Sequence, residues 1–273
     1  MSSKYVFLDI DGTLVNFKGE APSSAIKALK AARKNGHKLF VCTGRQLSQV
    51  YPWLLEQVEF DGIISSSGAN IRAGETKISR HCIPLEKLLF LADYFLKNNI
   101  PYCIQSQDTL VMESWCLDMI MQYYAAQGID NEKVKSLFGG IEIVDDIKTL
   151  DIAEKIVYYN APKETEGVSE DIGDFFQVVR YSFGNASKTS GEITCRRYNK
   201  ATGIQEVLDF FGADRADTVA VGDGDNDLEM MEYAAFGVAM GNATSKLKAA
   251  ADFITEDIDK DGIYKAFLEL NLI

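Results

Sequence analysis

Cysteine is scarce in this sequence and forms no C-x-x-C pair. The chain of 273 residues contains five dispersed cysteines: Cys42, Cys82, Cys103, Cys116 and Cys195. An odd, scattered set argues against a disulfide framework and against a zinc site. No apolar stretch approaches the roughly 20 residues that span a bilayer. Residues 1–4 lead straight into a strand pattern without the features of a signal peptide, so we expect a protein of the reducing cytoplasm.

Positive charge is also in short supply. Lys and Arg number 28 against 40 Asp and Glu, and the formal net charge is −12. Nucleic acids and anionic membrane surfaces bind clustered Lys and Arg, so neither is expected as a partner. The negative field also disfavours anionic substrates unless local cations reverse it. A metal ion near an acidic cluster would provide that reversal.

Both ends of the chain show a regular alternation of strand and helix patterns. Short apolar runs predict buried strands at Tyr5–Leu8, Lys38–Cys42, Ile63–Ser65, Thr218–Val221 and Phe236–Met240. Apolar residues at helical spacing lie between them, as in Ile26, Leu29 and Ala32 and again in Ile204, Val207, Leu208 and Phe211. Pro52 interrupts one periodic segment, Leu47–Val58, which predicts a kink or a late helix start. Alternating strands and helices predict a parallel sheet covered on both faces.

The middle of the chain, roughly residues 83–190, has a different composition. Strand patterns rich in aromatic and β-branched residues occur at Ile100–Ile104, Lys155–Tyr159 and Phe175–Val179, and helical patterns at Leu85–Lys97 and Trp115–Ala126. We interpret this segment as an α+β module inserted into the parallel-sheet domain. Its aromatic residues are expected to form the core of the module rather than contact substrate: Tyr102, Trp115, Tyr123 and Tyr124.

A short acidic run, Asp9-Ile10-Asp11-Gly12-Thr13-Leu14, follows the first predicted strand. Two carboxylates at the end of a buried strand are costly unless something neutralises them. A divalent cation would do so, and a carboxylate beside such a cation can also attack phosphorus. The alternative is a strand-to-turn junction in which Asp and Gly only form the turn.

Three further clusters end strands or open helices. Thr43-Gly44-Arg45 could hydrogen-bond phosphate oxygens or be an ordinary turn. Lys200 opens a predicted helix, where a cation is mildly disfavoured by the helix dipole, although most lysines are solvated surface charges. Gly222–Asp227 carries three Asp and one Asn after a strand. No apolar helix precedes that run and no Glu ends a twelve-residue loop, so a hard-cation site is favoured over a helix-loop-helix calcium loop.

Together these four segments resemble the motifs of the haloacid-dehalogenase-like phosphohydrolases, specifically the Cof-type branch with a large α/β cap. The segment Ile64–Asn70 is also similar to that branch, although Ser67-Gly68 stands where Asn-Gly is usual. The resemblance covers essentially the whole chain. It implies an α/β fold with a Rossmann-like, doubly wound parallel core formed by residues 1–82 and 191–273. Residues 83–190 would be the inserted α+β cap, closing over the site as a lid.

The same resemblance implies roles for individual residues. Asp9 would be the nucleophile that forms an aspartyl-phosphate, and Asp11 the general acid and then the base. Mg²⁺ would be held by Asp9, Asp223 and the backbone carbonyl of Asp11. The phosphoryl oxygens would be bound by Ile10, Thr43, Gly44, Lys200 and Asn226. Asp227 would support Lys200 or a metal-bound water, and Asp225 receives no catalytic role.

The predicted activity is therefore Mg²⁺-dependent hydrolysis of a small phosphorylated metabolite, such as a sugar phosphate, nucleotide or cofactor phosphate monoester. Two alternatives remain open. A phosphomutase would return the phosphoryl group to a bound sugar, and a non-catalytic regulator would only bind phosphate. An intact general acid argues against the regulator. A monomer and a small homo-oligomer fit the sequence equally well.

Overall fold

The computed structural model describes residues 3–106, 109–138, 140–147, 150, 153–180 and 188–273. The chain divides into two compact units. The first consists of Met1–Arg45, Val50–Ser79 and Asn199–Ile273, and the second of Gln46–Gln49 and Arg80–Tyr198. None of the described helices has both the length and the apolar character needed to cross a membrane.

In chain order the strands are β1 Tyr5–Leu8, β2 Lys38–Cys42, β3 Gly62–Ser65, β4 Asn70–Ala73, β5 Thr76–Arg80, β6 Tyr102–Gln105, β7 Leu110–Glu113, β8 Ile141–Val144, β9 Lys155–Tyr158, β10 Phe176–Arg180, β11 Gly191–Cys195, β12 Thr218–Gly222, β13 Phe236–Ala239 and β14 Phe253–Ile254. The α-helices are α1 Ser23–Lys34, α2 Pro52–Gln57, α3 Leu85–Lys97, α4 Ser114–Ala126, α5 Asn131–Phe138, α6 Thr165–Ile172, α7 Lys200–Phe211, α8 Leu228–Tyr233, α9 Ser245–Ala250 and α10 Gly262–Glu269.

The first unit is built on a sheet of order β14-β13-β12-β1-β2-β3-β4-β5. The strands from β14 to β3 pair in parallel, whereas β4 returns antiparallel to β3. Because the central strands run the same way, their carboxyl ends meet at one edge, where open α/β sheets bind ligands. The predicted α/β class is confirmed, with an antiparallel extension that the sequence patterns did not indicate.

Helices cover both faces of this sheet, as expected. Successive side chains of a strand point to opposite faces. Val6 and Leu8 accordingly belong to a buried cluster that includes residues of α1 and α10. Phe7 lies in a different cluster, with Phe40 and residues of α7 and α8. The central strands are therefore buried on both sides, which explains their nearly uninterrupted apolar sequences.

Pro52 begins a helix rather than kinking one. A single 3₁₀ turn at Leu47–Gln49 precedes it, and α2 starts at Pro52 itself. Proline at the first helical position loses no hydrogen bond, because that N–H has no partner within the helix. The late helix start predicted from the sequence is confirmed.

The second unit has its own sheet, of order β10-β11-β9-β6-β7-β8, and its own apolar core. Tyr102 and Tyr124 are buried in that core, and Trp115 and Tyr123 pack against it, so the four aromatic residues have the predicted structural role. β11 pairs antiparallel with both β9 and β10. The second unit therefore extends to Tyr198, beyond the predicted boundary at 190/191, because β11 completes its sheet. Residues 181–187 of the predicted insert lie outside the described part of the chain.

Candidate active site

A buried ion pair joins the two ends of the chain at the carboxyl edge of the first sheet. Asp9 directly follows β1, and its N–H donates to the carbonyl of Val221 at 3.0 Å, which extends the pairing with β12. Lys200 is the first residue of α7, and its Nζ lies 2.6 Å from Asp9 Oδ1. The two side chains are 1% and 7% exposed. The pairing thus brings a cation to the predicted nucleophile.

Small residues and a helix cap place Lys200 there. The Asn199 side chain accepts from the N–H of Thr202, and the Thr202 hydroxyl accepts from the N–H of Asn199, so α7 begins with a capping box. A Cβ on Gly68 would lie 2.1 Å from the carbonyl oxygen of Asn199, and one on Gly203 would lie 2.7 Å from Ile64 Cγ2. Because both glycines lack that atom, α7 can lie close to β3. Lys200, at the start of α7, is buried there, although most lysines are solvated surface charges.

Asp227 links Lys200 to the acidic loop that follows β12. Its Oδ1 accepts from Lys200 Nζ at 2.5 Å. Its Oδ2 accepts from the backbone N–H groups of Asp223 and Gly224, each at 3.0 Å. With both oxygens occupied, Asp227 acts as an anchor between the lysine and the loop. This position suits the supporting role predicted from the sequence.

Asp223 lies against the turn that carries Asp11 and Gly12. Thr13 Oγ1 donates to Asp223 Oδ1 at 2.9 Å. A Cβ on Gly12 would lie 2.1 Å from Asp223 Oδ2, and the φ of Gly12 is +86°. Only glycine can satisfy both the positive φ and the close approach of the carboxylate. The glycine in the first motif is therefore needed to bring Asp223 beside Asp9.

The electrostatics of the cluster show an excess of negative charge. Burial raises the pKa of Asp9 to about 7, and the charges of Asp227 and Asp11 add to this while Lys200 opposes it. Burial also raises the pKa of Asp223 to about 8, reinforced by Asp9 and Asp227. For Lys200 burial acts to lower the pKa, but the charges of Asp227 and Asp9 bring it well above its ordinary value. One lysine cannot balance three carboxylates, so a second cation would be stabilised here.

The carboxylates fit a hard divalent cation. Asp9, Asp223 and Asp227 each offer an oxygen, and these atoms lie within 4.8 Å of one another. Because Asp227 is engaged with Lys200 and the loop backbone, Asp9 and Asp223 are the side chains best suited to hold a metal. Oxygen ligands from two carboxylates are typical of Mg²⁺, which keeps several waters when it binds to proteins.

The second predicted carboxylate, Asp11, has a cation of its own. Arg45 Nε lies 2.6 Å from Asp11 Oδ2, and Arg45 Nη2 lies 2.7 Å from Asp11 Oδ1. The Asp11 side chain is 40% exposed, so this carboxylate is far more accessible than that of Asp9. The two acids of the first motif consequently stand in different environments.

The remaining predicted phosphate ligands occupy the same edge of the sheet. Thr43 follows β2 and is buried, with its Oγ1 accepting from the N–H of Arg45 at 3.1 Å. The side chain of Ile10 is buried, so only its backbone N–H could serve a phosphate. Asn226 is partly buried. Its Oδ1 packs against Gly224 so closely that a Cβ on that glycine would lie 2.5 Å away. Phosphate binding by these residues and by Gly44 stays a prediction.

A strained turn connects the second motif to the helix of Lys200. Ser66, Ser67 and Gly68 all have positive φ, at 50°, 56° and 99°. The N–H of Ser66 donates to the carbonyl of Arg45 at 2.7 Å, and that of Ser67 to the carbonyl of Thr43 at 3.0 Å. Left-handed conformations of residues other than glycine are costly and gather at functional sites. Here the turn ties the loop after β2 to the start of α7.

Sequence reasoning gave no role to two side chains that support the site. Thr13 is part of the first motif, which implies no role for its side chain, yet its hydroxyl donates to Asp223. Asn242 belongs to none of the four motifs, although its Nδ2 donates to the carbonyl of Gly12 at 2.8 Å and its Oδ1 accepts from the N–H of Ile258 at 3.0 Å. Asn242 could have been found from its position in a Gly-Asn pair just after β13, because the carboxyl end of that strand lies at the same edge of the sheet.

Comparisons with known proteins agree with this arrangement. The sequence profile of one family, described as haloacid dehalogenase-like hydrolase, matches residues 6–267. The Bacillus subtilis (strain 168) protein YkrA, provisionally named a phosphatase, is 31% identical over 277 residues, with 100% of both chains covered. The 5-amino-6-(5-phospho-D-ribitylamino)uracil phosphatase YwtE of the same organism is 26% identical, with 95% of both chains covered.

A solved structure is similar along the whole chain. It is that of a sugar phosphatase of haloacid dehalogenase subclass IIB, and it superposes with a TM-score of 0.80 at 29% sequence identity. The superposition covers 99% of this chain and 100% of the other. The similarity therefore includes both compact units and not only the parallel-sheet core.

Proposed function

The chain belongs to the haloacid dehalogenase-like hydrolase family, and we propose that it is a Mg²⁺-dependent phosphatase of small phosphorylated metabolites. The observation that carries this proposal is the 2.6 Å pairing of Asp9 with the buried Lys200, beside the carboxylate of Asp223. A buried carboxylate next to a fixed cation is suited to receive a phosphoryl group. The names of the relatives support the class of substrate.

Asp9 acts as the nucleophile in this proposal. Its carboxylate oxygen attacks phosphorus, the bond from phosphorus to the ester oxygen breaks, and an aspartyl-phosphate forms. Lys200 is within hydrogen-bonding distance of the attacking group and would stabilise the negative charge that develops on the phosphoryl oxygens. Asp227 holds the lysine in place through its own carboxylate. The reaction thus depends on a cation that is already positioned before substrate binds.

Asp11 serves as the proton donor and acceptor. Protonated, it would give a proton to the departing alkoxide; as a carboxylate, it would take a proton from the water that attacks the aspartyl-phosphate. The 40% exposure of its side chain suits a group that must meet both the leaving alcohol and water. Asp9 is far more buried, and its carboxylate is held by Lys200.

Asp9, Asp223 and the backbone carbonyl of Asp11 would hold Mg²⁺. The bound ion would supply positive charge that offsets the repulsion between Asp9 and the phosphate. Thr43, Gly44, Asn226 and the N–H of Ile10 would orient the remaining phosphoryl oxygens. Thr13 and Gly12 keep Asp223 in position for this purpose.

For the substrate we propose a phosphate monoester of a small metabolite. YwtE is named for a phosphoribitylamino uracil and the subclass IIB relative for sugars. For this chain we propose only the substrate class that the two names share, a phosphate ester on a polar organic group. We further propose that the second unit, predicted as the cap, selects that organic group.

The experiment is a screen for phosphate release with Mg²⁺ from an aryl phosphate and from phosphorylated sugars, nucleotides and cofactors, ranked by kcat/KM. We expect hydrolysis that stops when EDTA is added and returns with excess Mg²⁺. Turnover that requires a sugar bisphosphate would indicate a phosphomutase instead. No hydrolysis of any substrate, together with no beryllium fluoride adduct by ¹⁹F NMR, would indicate a protein that only binds phosphate.

A further inference from the structure

Arg45 donates a hydrogen bond to each carboxylate oxygen of Asp11. The distances of 2.6 Å from Nε to Oδ2 and 2.7 Å from Nη2 to Oδ1 describe a two-point fork between guanidinium and carboxylate. Such bidentate pairs fix the orientation of the carboxylate as well as its position. The sequence motif includes Arg45, but a phosphate-binding turn needs only its neighbours Thr43 and Gly44. The arginine therefore requires its own explanation.

Arg45 is itself held on several sides. Its Nη2 also donates to Tyr51 Oη at 2.7 Å, and its guanidinium carbon lies 4.4 Å from the centre of the Tyr51 ring. Its backbone N–H donates to Thr43 Oγ1, and its carbonyl accepts from the N–H of Ser66. The Arg45 side chain is only 18% exposed. A side chain anchored in this way can hold a partner rigidly, as a solvated lysine could not.

The fork fixes the Asp11 carboxylate without using up its capacity to accept. Both oxygens accept from Arg45, and each oxygen of a carboxylate has a second lone pair. The fork therefore sets the orientation of the carboxylate and leaves a lone pair on each oxygen for another donor. Asp9 is paired with a different cation, Lys200.

We propose that Arg45 is a positioning residue that orients the Asp11 carboxylate for hydrolysis of the aspartyl-phosphate. This inference rests on the proposed phosphatase function. In that step the water oxygen bonds to phosphorus, the bond from phosphorus to Asp9 breaks, and its electron pair returns to the Asp9 carboxylate. The water proton passes to Asp11. In this proposal Arg45 acts through Asp11.

The test separates the two half-reactions with an aryl phosphate, whose good leaving group needs little help from a general acid. In Arg45→Ala, we expect kcat to fall by about 10- to 100-fold because the second step becomes limiting. Since kcat/KM reports only the first step, it should stay within about threefold of wild type. Stopped-flow measurements should show a burst of about one aryl alcohol per active site. Guanidinium ion added to Arg45→Ala should restore part of kcat.

Arg33→Ala is the matched control. Arg33 also pairs with an aspartate, Asp61, at 2.5 Å, and its side chain is 24% exposed, but Asp61 lies at the opposite edge of the sheet, before β3. Its kcat should equal that of wild type. A parallel fall of kcat and kcat/KM in Arg45→Ala without a burst would overturn the inference, as would unchanged kinetics. Wild-type protein that forms no aspartyl-phosphate would instead contradict the proposed function itself.

Discussion

Lys200 Nζ lies 2.6 Å from Asp9 Oδ1, although the two residues are 191 positions apart in the sequence. Lys200 also binds Asp227, so one buried cation serves two buried carboxylates. Breaking a buried pair by removing one partner is costly because the other charge remains without compensation. The same contact therefore contributes to the fold and to the proposed chemistry.

Replacement of Lys200 by Met should lower both the stability of the protein and its turnover. We expect the free energy of unfolding to fall by about 3–5 kcal/mol, because two buried carboxylates lose their cation. Turnover of an aryl phosphate should fall by about 10²- to 10³-fold, the usual loss when a preorganised donor to the transition state is removed. Urea denaturation and steady-state kinetics measure the two effects. Lys4→Met is the control, since Lys4 pairs with Asp217 at 2.7 Å but is 32% exposed and should change neither quantity appreciably.

Without metal, the protein should lose stability as the pH rises. The pKa values of Asp9 and Asp223 are raised to about 7 and about 8 in the folded state, so the folded form binds more protons than the unfolded form above their ordinary value of 3.8. Their contribution to stability is complete below that value and is lost as the pH rises through 7 and 8. Thermal unfolding in EDTA from pH 5 to 8.5 measures this loss.

Mg²⁺ should reverse that trend, because it replaces the protons on the two carboxylates. The rise in Tm on adding Mg²⁺ is therefore expected to grow with pH over the same range. In Asp223→Asn the rise should be small at every pH. A Mg²⁺ effect that is independent of pH in the wild-type protein would contradict the assignment of Asp9 and Asp223 as the metal-binding carboxylates.

Gly12→Ala and Gly19→Ala form a matched pair. Both glycines have strongly positive φ, at +86° and +81°, so each alanine should cost about 1 kcal/mol of stability. At Gly12 the new Cβ would meet Asp223 Oδ2 at 2.1 Å, whereas at Gly19 no described residue other than its chain neighbours lies within 4 Å. We therefore expect Gly12→Ala to lose Mg²⁺ binding and nearly all activity, and Gly19→Ala to keep both. Equal activities of the two variants would show that the contact between Gly12 and Asp223 does not matter.

Ser67→Asn should stabilise the protein. Ser67 has a left-handed conformation, with φ 56° and ψ 36°, and asparagine tolerates this region better than serine. The expected gain in the free energy of unfolding is a part of the roughly 1–3 kcal/mol that a left-handed residue other than glycine costs. The reciprocal variant, Asn99→Ser, replaces an exposed asparagine with φ 53° and should lose a comparable amount. If Ser67→Asn lowered stability, the turn would be constrained by contacts of the serine hydroxyl and not by its backbone conformation.

The sequence patterns predicted long, strongly periodic elements well. The helix Leu85–Lys97 was predicted with the bounds that α3 has, and the structure places Pro84 and Asn98 at its two caps. The hairpin of β4 and β5 was missed, since the two strands are only four and five residues long and β5 contains a single apolar residue, Ile78. The predicted boundary at 190/191 differs from the end of the second unit at Tyr198 for another reason: no sequence pattern predicted β11, so its place in the second sheet could not be inferred.

The site could be predicted as a set of residues but not as a geometry. Strand ends marked Asp9, Thr43 and Asp223, and parallel pairing brings such ends together. The burial of Lys200 depends on Gly68 and Gly203, which are far from each other in the sequence and show no pattern that connects them. The fork of Arg45 on Asp11 depends on side-chain orientation, which sequence spacing does not determine.

The most direct test of the central claim is to locate the phosphoryl group during turnover. The protein is incubated with Mg²⁺ and a ³²P-labelled substrate found in the screen, quenched in acid and mapped by peptide, alongside Asp9→Asn and the exposed control Asp225→Asn. We predict label on the peptide that contains Asp9, normal labelling of Asp225→Asn, and neither label nor turnover in Asp9→Asn. Label on another residue, or turnover of Asp9→Asn above a few per cent of wild type, would contradict the assignment of Asp9 as the nucleophile.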